Sequence, residues 1–104
     1  MIKMKKILLC CAAGMSTSLL VNKMKSEAAK KGIEVHIWAE PLEKAQEEFS
    51  KADVVLLGPQ VKYAFPEAKK IADENNIKID VITMVDYGMM NGAKVLEQAL
   101  SLLR

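Results

Sequence analysis

Four short apolar, β-prone runs alternate along this chain with four segments of helical period. The runs are residues 5–10, 34–39, 53–57 and 79–84. Alternation of strand and helix is typical of α/β domains with a parallel sheet. Right-handed crossovers between parallel strands place helices on both faces of such a sheet. We therefore predict a three-layer α/β fold around a four-stranded parallel sheet, with the strand order 2-1-3-4.

The helical segments are defined by apolar residues that recur every three or four positions. We predict helices over residues 17–31, 42–50, 61–74 and 91–103. Pro66 lies inside the third pattern. Because proline lacks an N–H group and clashes with the preceding turn, we expect a first turn, a kink or a late helix start near residues 63–66.

Length and composition are those of one globular domain, which we place at residues 1–104. Hydrophobic residues make up 51% of the chain and charged residues 27%. The net charge of +2 comes from dispersed lysines, so we expect no nucleic-acid partner. No apolar run approaches the length of a membrane span, so we expect no direct membrane insertion.

The two cysteines, Cys10 and Cys11, are neighbours in the sequence. Adjacent residues seldom satisfy disulfide geometry, and the pair has no zinc-site spacing, so we expect no structural bridge, no metal and no cofactor. This cysteine usage indicates a cytoplasmic location. A redox role is a weak alternative because the pair has no Cys-x-x-Cys spacing.

The first apolar run leads through both thiols into small and hydroxyl residues and then into a helix. In open parallel sheets, ligands bind beyond the carboxyl ends of the strands. Backbone N–H groups and the partial positive charge of a helix start would form an anion cradle there. Cys11, which ends the strand, is our candidate nucleophile, and we expect its thiol at the lip of the site. Cys10 alternates to the opposite direction and is expected in the core.

The candidate anion-binding residues follow Cys11 directly in the sequence. They are Ala12, Ala13, Gly14, Met15, Ser16 and Thr17. Their backbone N–H groups and at least one hydroxyl are predicted to bind phosphoryl oxygens. The hydroxyl residues also have a purely structural explanation, since Ser and Thr cap helix starts.

Loops after the third and fourth runs end at the same edge of the predicted sheet. We expect them to form a wall of the site with Gly58, Pro59, Gln60 and Asp86. A plain turn explains the first three residues equally well. A turn or cap before the last helix, together with Gly88, is the more frequent role for a residue like Asp86. Tyr63 and Tyr87 are candidates for contact with a partner protein, although packing is an equally good explanation.

Two motifs carry a resemblance to a known family. The run CAAGMSTSLL at residues 11–20 and the run ADVVLLGPQV at residues 52–61 resemble the lactose/cellobiose-type enzyme IIB of the bacterial phosphoenolpyruvate-dependent sugar phosphotransferase system. The resemblance implies a cytoplasmic phosphocarrier, monomeric when isolated, with the fold of low-molecular-weight tyrosine phosphatases. Its cysteine, Cys11 here, would accept a phosphoryl group from a histidine of enzyme IIA and deliver it to a sugar of the cellobiose, chitobiose or lactose type on the membrane enzyme IIC.

A low-molecular-weight cysteine phosphatase is the alternative function. Those enzymes place a similar loop between the first strand and helix, with an arginine six positions after the cysteine. Here that position holds Thr17, and the only arginine of the chain is Arg104. Hydrolysis would therefore lack the bidentate guanidinium that clamps the transition state.

Overall fold

The computed structural model describes residues 4–12 and 15–103 of the chain, without the side chains of Met15 and Ser16. Four strands and five α-helices follow one another in this part. The strands are β1 (Lys5–Cys11), β2 (Val35–Pro41), β3 (Val54–Leu57) and β4 (Lys78–Val81). The helices are α1 (Met15–Lys30), α2 (Leu42–Glu48), α3 (Phe65–Glu74), α4 (Met84–Gly88) and α5 (Gly92–Leu102). Short 3₁₀ helices cover Phe49–Lys51 and Pro59–Ala64.

The strands form one parallel sheet with the order β2-β1-β3-β4. Leu8 of β1 lies opposite Trp38 of β2 on one side and Val55 of β3 on the other. Val55 in turn lies opposite Ile79 of β4. The predicted fold class and strand order are therefore confirmed, and the register brings the ends of β1, β3 and β4 to one edge of the sheet.

Alternating side chains of β1 divide the core into two apolar layers. Ile7 and Leu9 pack with residues of α1 and α5, which are Leu20, Val21, Met24, Ala28, Val95, Leu96 and Ala99. Leu8 and Cys10 pack with residues of α2 and α3, which are Ala45, Ala68 and Ala72. Helices therefore cover both faces of the sheet, as the three-layer prediction required.

The fourth strand ends earlier than the sequence pattern suggested. The prediction that residues 82–84 continue this strand was wrong. β4 ends at Val81, which pairs with Leu57, the last residue of β3. The ladder closes with Ile82 N–H donating to the Leu57 carbonyl at 2.8 Å. Beyond that point the partner strand turns away at Gly58, so residue 84 has no strand to pair with. Met84 instead begins α4, whose N-cap is Thr83.

Proline has the expected effect on the third helical segment. Val61 has φ −116° and ψ 22°, which interrupts the helical geometry. The regular helix α3 begins only at Phe65, with Pro66 in its first turn. Proline is tolerated there because the first N–H groups of a helix have no partner inside the helix.

Within the described ranges, no helix combines the length and the apolar character that crossing a bilayer requires.

Candidate functional site

Cys11 is the last residue of β1 and lies opposite Pro41, the last residue of β2. Strand alternation places it on the same sheet face as Ile7 and Leu9, which α1 and α5 cover. The residue is 1% exposed, so the expectation of a thiol at the lip of the site was wrong. Strand pairing extends one residue further than predicted and draws Cys11 into the sheet. Cys11 nevertheless belongs to neither apolar cluster of the described residues.

Cys10 faces the opposite layer and is fully buried among apolar side chains. Burial, followed by the charges of Cys11 and Glu40, raises the pKa of the Cys10 thiol to about 12. A thiol with such a pKa stays protonated at neutral pH and is a poor nucleophile. The prediction that Cys10 is a core residue is confirmed.

Helix α1 begins four residues after Cys11 and runs for 16 residues. Its first turn contains no acidic side chain, so nothing there offsets the partial positive charge of the helix start. The interaction of an anion with such a helix start is worth about 0.3–1 kcal/mol, and ~2 kcal/mol when partly buried. A group bound with this modest energy can also be released.

The predicted cradle is described only in part. Ala12 is exposed and Thr17 is buried. Ala13 and Gly14 lie outside the described residues, and the side chains of Met15 and Ser16 lie outside the described atoms. The expected role of Ala12, Ala13, Gly14, Met15, Ser16 and Thr17 in phosphoryl binding therefore stays a prediction.

The Thr17 side chain is fixed by a contact from a distant part of the chain. Its hydroxyl lies 3.0 Å from the Tyr87 hydroxyl, in a buried hydrogen bond that links residues 70 positions apart. Along α1, Thr17 precedes the buried residues Leu20, Val21 and Met24, which face the sheet. A residue of α4 thus holds the Thr17 side chain near the start of α1, the end of the helix that follows Cys11.

Tyr87 is 8% exposed and packs in the same apolar layer as Ile7 and Leu9. The suggestion that its ring contacts a partner protein was therefore wrong, and the packing alternative is correct. Its hydroxyl contact was not predictable from the sequence pattern, because it depends on how α4 docks against α1. Tyr63, in contrast, is 75% exposed.

Gly58, Pro59 and Gln60 lie at the same sheet edge as Cys11. The Gly58 N–H donates to the Cys10 carbonyl at 2.8 Å, which fixes this turn beside the end of β1. The Gln60 side chain folds back over Gly58, so that a Cβ at Gly58 would collide with the Gln60 carboxamide oxygen. The structure brings these residues close to Cys11 along the sheet, and their role as a wall of the site stays a prediction.

Asp86 lies in α4 and is half-buried. Its N–H donates to the Thr83 hydroxyl at 3.1 Å, and its carbonyl accepts from the Asn91 N–H at 2.9 Å. These backbone contacts fit a turn that leads into α5. Within residues 4–12 and 15–103, the Asp86 carboxylate makes no hydrogen bond or ion pair, so its place in the wall stays a prediction.

Large apolar side chains are exposed on the elements that follow β1, β3 and β4. They are Leu19 at the start of α1, Tyr63 after β3, and Met84, Val85 and Met89 in and directly after α4. We call these five residues the apolar rim. Among the described residues, Met4 is the one other large exposed apolar side chain, and it precedes β1 at the opposite edge. The sequence pattern missed Leu19, Met84 and Val85, since exposure depends on how the helices dock.

In chemical terms, the edge offers a cysteine and the start of a long helix. No three His, Cys, Asp or Glu side chains of the described part converge to hold a metal ion. Position 17, six residues after Cys11, supplies a neutral hydroxyl rather than a guanidinium. The Cys11 thiol, the start of α1 and the Thr17 hydroxyl together suit nucleophilic attack by sulfur on a phosphoryl group that is afterwards passed on.

Comparison with known proteins gives a consistent result over nearly the whole chain. Residues 6–98 match the family model described as "PTS system, Lactose/Cellobiose specific IIB subunit". The oligo-beta-mannoside-specific EIIB component of Bacillus subtilis is 55% identical over 100 residues, covering 96% of this chain and 97% of that protein. The galactose-specific EIIB component of Lactococcus lactis is 46% identical over 104 residues, covering 95% and 96%.

Two solved structures share the fold. The lactose-specific IIB domain of Streptococcus pneumoniae superposes with a TM-score of 0.89 at 22% identity, covering 98% of this chain and 100% of that chain. The cellobiose-specific IIB component of Borrelia burgdorferi gives a TM-score of 0.80 at 39% identity, covering 96% and 92%.

Proposed function

Because the chain belongs to the lactose/cellobiose-specific IIB family of the sugar phosphotransferase system, we propose that it is a phosphocarrier that uses Cys11. The phosphoryl donor is a phosphohistidine of enzyme IIA. The acceptor is a sugar bound by the membrane enzyme IIC. The protein acts in the cytoplasm and is a monomer when isolated.

The first step moves the phosphoryl group onto sulfur. The Cys11 thiolate attacks phosphorus, the S–P bond forms and the P–N bond to the imidazole breaks. The imidazole nitrogen keeps the electron pair of the broken bond and takes up a proton. The thiol proton is lost before attack, so the step conserves protons overall.

The second step moves the group to the sugar. A sugar hydroxyl oxygen attacks phosphorus, the O–P bond forms and the S–P bond breaks. Sulfur keeps the electron pair and is again a thiolate, while the hydroxyl proton passes to a base on the membrane partner. Both transfers depend on positioning and on stabilising charge on the three equatorial oxygens.

The proposal is carried by the position of Cys11 at the end of β1, four residues before the start of α1. The main-chain N–H groups of residues 12–17 bind the phosphoryl oxygens in this proposal.

The apolar rim supports the docking of partner proteins. Its members lie in or directly after three elements that follow the carboxyl ends of β1, β3 and β4. Met89 is the member furthest along α1, where it lines a groove with Lys23 and Glu27. Exposed apolar side chains clustered on one surface are typical of protein interaction sites. Both IIA and IIC have to approach this edge, one after the other, to exchange a group with one sulfur.

The phosphatase alternative finds less support. Thr17 occupies the place of the phosphatase arginine, and its hydroxyl is bonded to Tyr87. Asp86 would be the general acid in a phosphatase, and its carboxylate makes no hydrogen bond or ion pair with residues 4–12 or 15–103.

The transported sugar is proposed to be of the cellobiose, chitobiose or lactose type. The relatives are named for oligo-beta-mannosides, galactose and cellobiose, so the family spans several sugars at high identity. In this proposal IIC binds the sugar, and the IIB chain carries no sugar specificity of its own.

The experiment is phosphorylation with phosphorylated enzyme IIA, read out by intact-protein mass. The chains compared are the wild type, Cys11→Ser and the matched control Cys10→Ser. We expect one phosphoryl group on the wild type and on Cys10→Ser, and none on Cys11→Ser. Labelling retained by Cys11→Ser, or lost by Cys10→Ser while that chain stays folded, would refute the assignment.

A further inference from the structure

The buried hydroxyl pair formed by Thr17 and Tyr87 has no counterpart in the function proposed so far. Thr17 is 1% exposed and Tyr87 is 8% exposed. A buried polar pair costs desolvation energy that an apolar pair would avoid, so its presence calls for a physical role. Tyr87 packs in the layer that contains Ile7 and Leu9, on the sheet face that Cys11 also occupies, and Thr17 is bonded to it.

We propose that Tyr87 is a positioning residue, which holds the Thr17 hydroxyl so that its proton is donated to the phosphoryl group on Cys11. The inference rests on the phosphocarrier function proposed above. Thr17 would contact the phosphoryl group, and Tyr87 would act only through Thr17.

Either hydroxyl could donate in this hydrogen bond, and acidity favours Tyr87 as the donor. A phenol, with a pKa of about 10, is a stronger hydrogen-bond donor than an aliphatic alcohol. In this proposal Tyr87 donates to the Thr17 oxygen, and the proton of Thr17 is not used in this bond. Donation to Thr17 also polarises its O–H group, which strengthens the bond that Thr17 donates in turn.

The location of the pair agrees with this role. Thr17 lies in the first turns of α1, six residues after Cys11, and its side chain faces the sheet. Tyr87 reaches it from α4, which follows β4 at the same sheet edge. A neutral donor at this position stabilises the phosphoryl oxygens without the strong clamp that an arginine would supply.

The test is a pH titration of the phosphorylated protein, followed through the phosphorus-31 NMR signal of the phosphocysteine. Chains are loaded with phosphorylated enzyme IIA as wild type, Tyr87→Phe, Thr17→Val and Thr17→Ser. Tyr63→Phe is the matched control for loss of a tyrosine hydroxyl at an exposed position. Only its titration midpoint is compared, after loading is complete, because Tyr63 belongs to the apolar rim.

A donor to the dianion lowers the pKa of the phosphoryl group, so loss of the donor raises it. We expect the titration midpoint to rise by roughly half a pH unit, about threefold in proton affinity, in Tyr87→Phe. Thr17→Val should show at least the same rise. Thr17→Ser, which keeps a hydroxyl, and Tyr63→Phe should match the wild type.

Other outcomes contradict the inference. Equal midpoints in the wild type and Tyr87→Phe, together with a lower Tm, would show that the pair only joins α4 to α1. A wild-type chain that accepts no phosphoryl group would overturn the proposed function and this inference with it, whereas labelled chains with unchanged midpoints would overturn this inference alone.

If Tyr87→Phe or Thr17→Val fails to fold, 3-fluorotyrosine is incorporated into the Tyr63→Phe chain instead. Tyr87 is the one tyrosine left in that chain, so it alone carries the fluorine. Fluorination makes the phenol a stronger donor, so the midpoint should fall below that of the unfluorinated chain. A midpoint that rises or stays unchanged would contradict donation from Tyr87 to Thr17.

Discussion

Cys10 and Cys11 differ in environment because neighbouring residues of a strand face opposite layers. Cys10 is enclosed by the apolar layer of α2 and α3, and its pKa is raised to about 12. Cys11 occupies the other face at the end of the strand. One step along the backbone therefore separates an inert core thiol from the proposed nucleophile.

The raised pKa of Cys10 predicts a pH dependence of stability. The folded state holds the Cys10 proton to about pH 12, whereas the unfolded thiol loses it near its ordinary pKa of 9.0. Above pH 9.0 the folded state binds more protons, so the free energy of unfolding falls as pH rises, by up to about 1.4 kcal/mol per pH unit from this group. Below pH 9.0 the thiol is protonated in both states, so its full contribution to the free energy of unfolding is present.

Urea unfolding of the wild type and Cys10→Ala between about pH 7 and about pH 11, under reducing conditions, measures this effect. Cys10→Ala should be less stable by ~1 kcal/mol at neutral pH because it leaves a small cavity. The difference should shrink above pH 9.0, since only the wild type has this thiol to deprotonate. If the free energies of unfolding of the two chains differ by the same amount at every pH, burial of Cys10 does not govern its titration.

The site was predictable as far as it depends on local sequence. Cys11 and the start of α1 are four residues apart in the sequence, and strand alternation separated Cys10 from Cys11 correctly. The Thr17–Tyr87 contact spans 70 positions and depends on the docking of α4, so no local pattern indicates it. The burial of Cys11 likewise depends on its pairing with Pro41 of β2.

At the level of elements, the alternation of strands and helices was sufficient to predict the parallel sheet and its order. It did not locate the end of β4, because an apolar run has the same composition whether or not a neighbouring strand continues. Leu57 ends β3, and Val81 therefore ends β4. In the rest of the run, Thr83 is a helix cap and Met84 is the first residue of α4.

Helices α1 and α5 approach each other closely at Gly92. A Cβ at this position would lie 2.7 Å from the Lys23 carbonyl carbon and 2.8 Å from the Met24 nitrogen. Both are backbone atoms, which cannot move away without shifting α1. Glycine is therefore required here by the packing of two helices, and not by its conformational freedom.

We expect Gly92→Ala to lower the free energy of unfolding by about 1–3 kcal/mol, because α5 must move away from α1. Gly88→Ala is the matched control, since a Cβ there meets nothing within 4 Å. That control should be neutral or slightly stabilising. Urea denaturation measures the free energy of unfolding of Gly92→Ala and Gly88→Ala. Equal values for the two variants would contradict the close approach of the helices.

At the scale of the whole molecule, the two edges of the sheet differ. The carboxyl edge holds Cys11 and the apolar rim. The opposite edge has a groove of about 370 Å³ lined largely by polar residues, including Lys69, Asp73 and Asn76. This asymmetry places the proposed chemistry and the proposed docking surface on one side of the protein.

The rim predicts a selective effect on partner binding. Met84→Lys should raise the KM for phosphorylated enzyme IIA about three- to tenfold, because a charge replaces an apolar contact residue. The kcat and the Tm should stay unchanged, since Met84 is 73% exposed. Met4→Lys, at the opposite edge, is the matched control and should behave as the wild type in steady-state transfer assays. An equal KM for both variants would show that the rim is not the docking surface.

In the proposed function, Cys11 holds a phosphoryl group and passes it to a sugar rather than to water. The most direct measurement is a single-turnover chase, in which the phosphorylated chain, freed of enzyme IIA, is mixed with membranes that contain enzyme IIC, with and without cellobiose. We expect sugar phosphate when sugar and membranes are both present, and a persistent phosphoprotein when either is omitted. Release of inorganic phosphate at one rate under all conditions would contradict it.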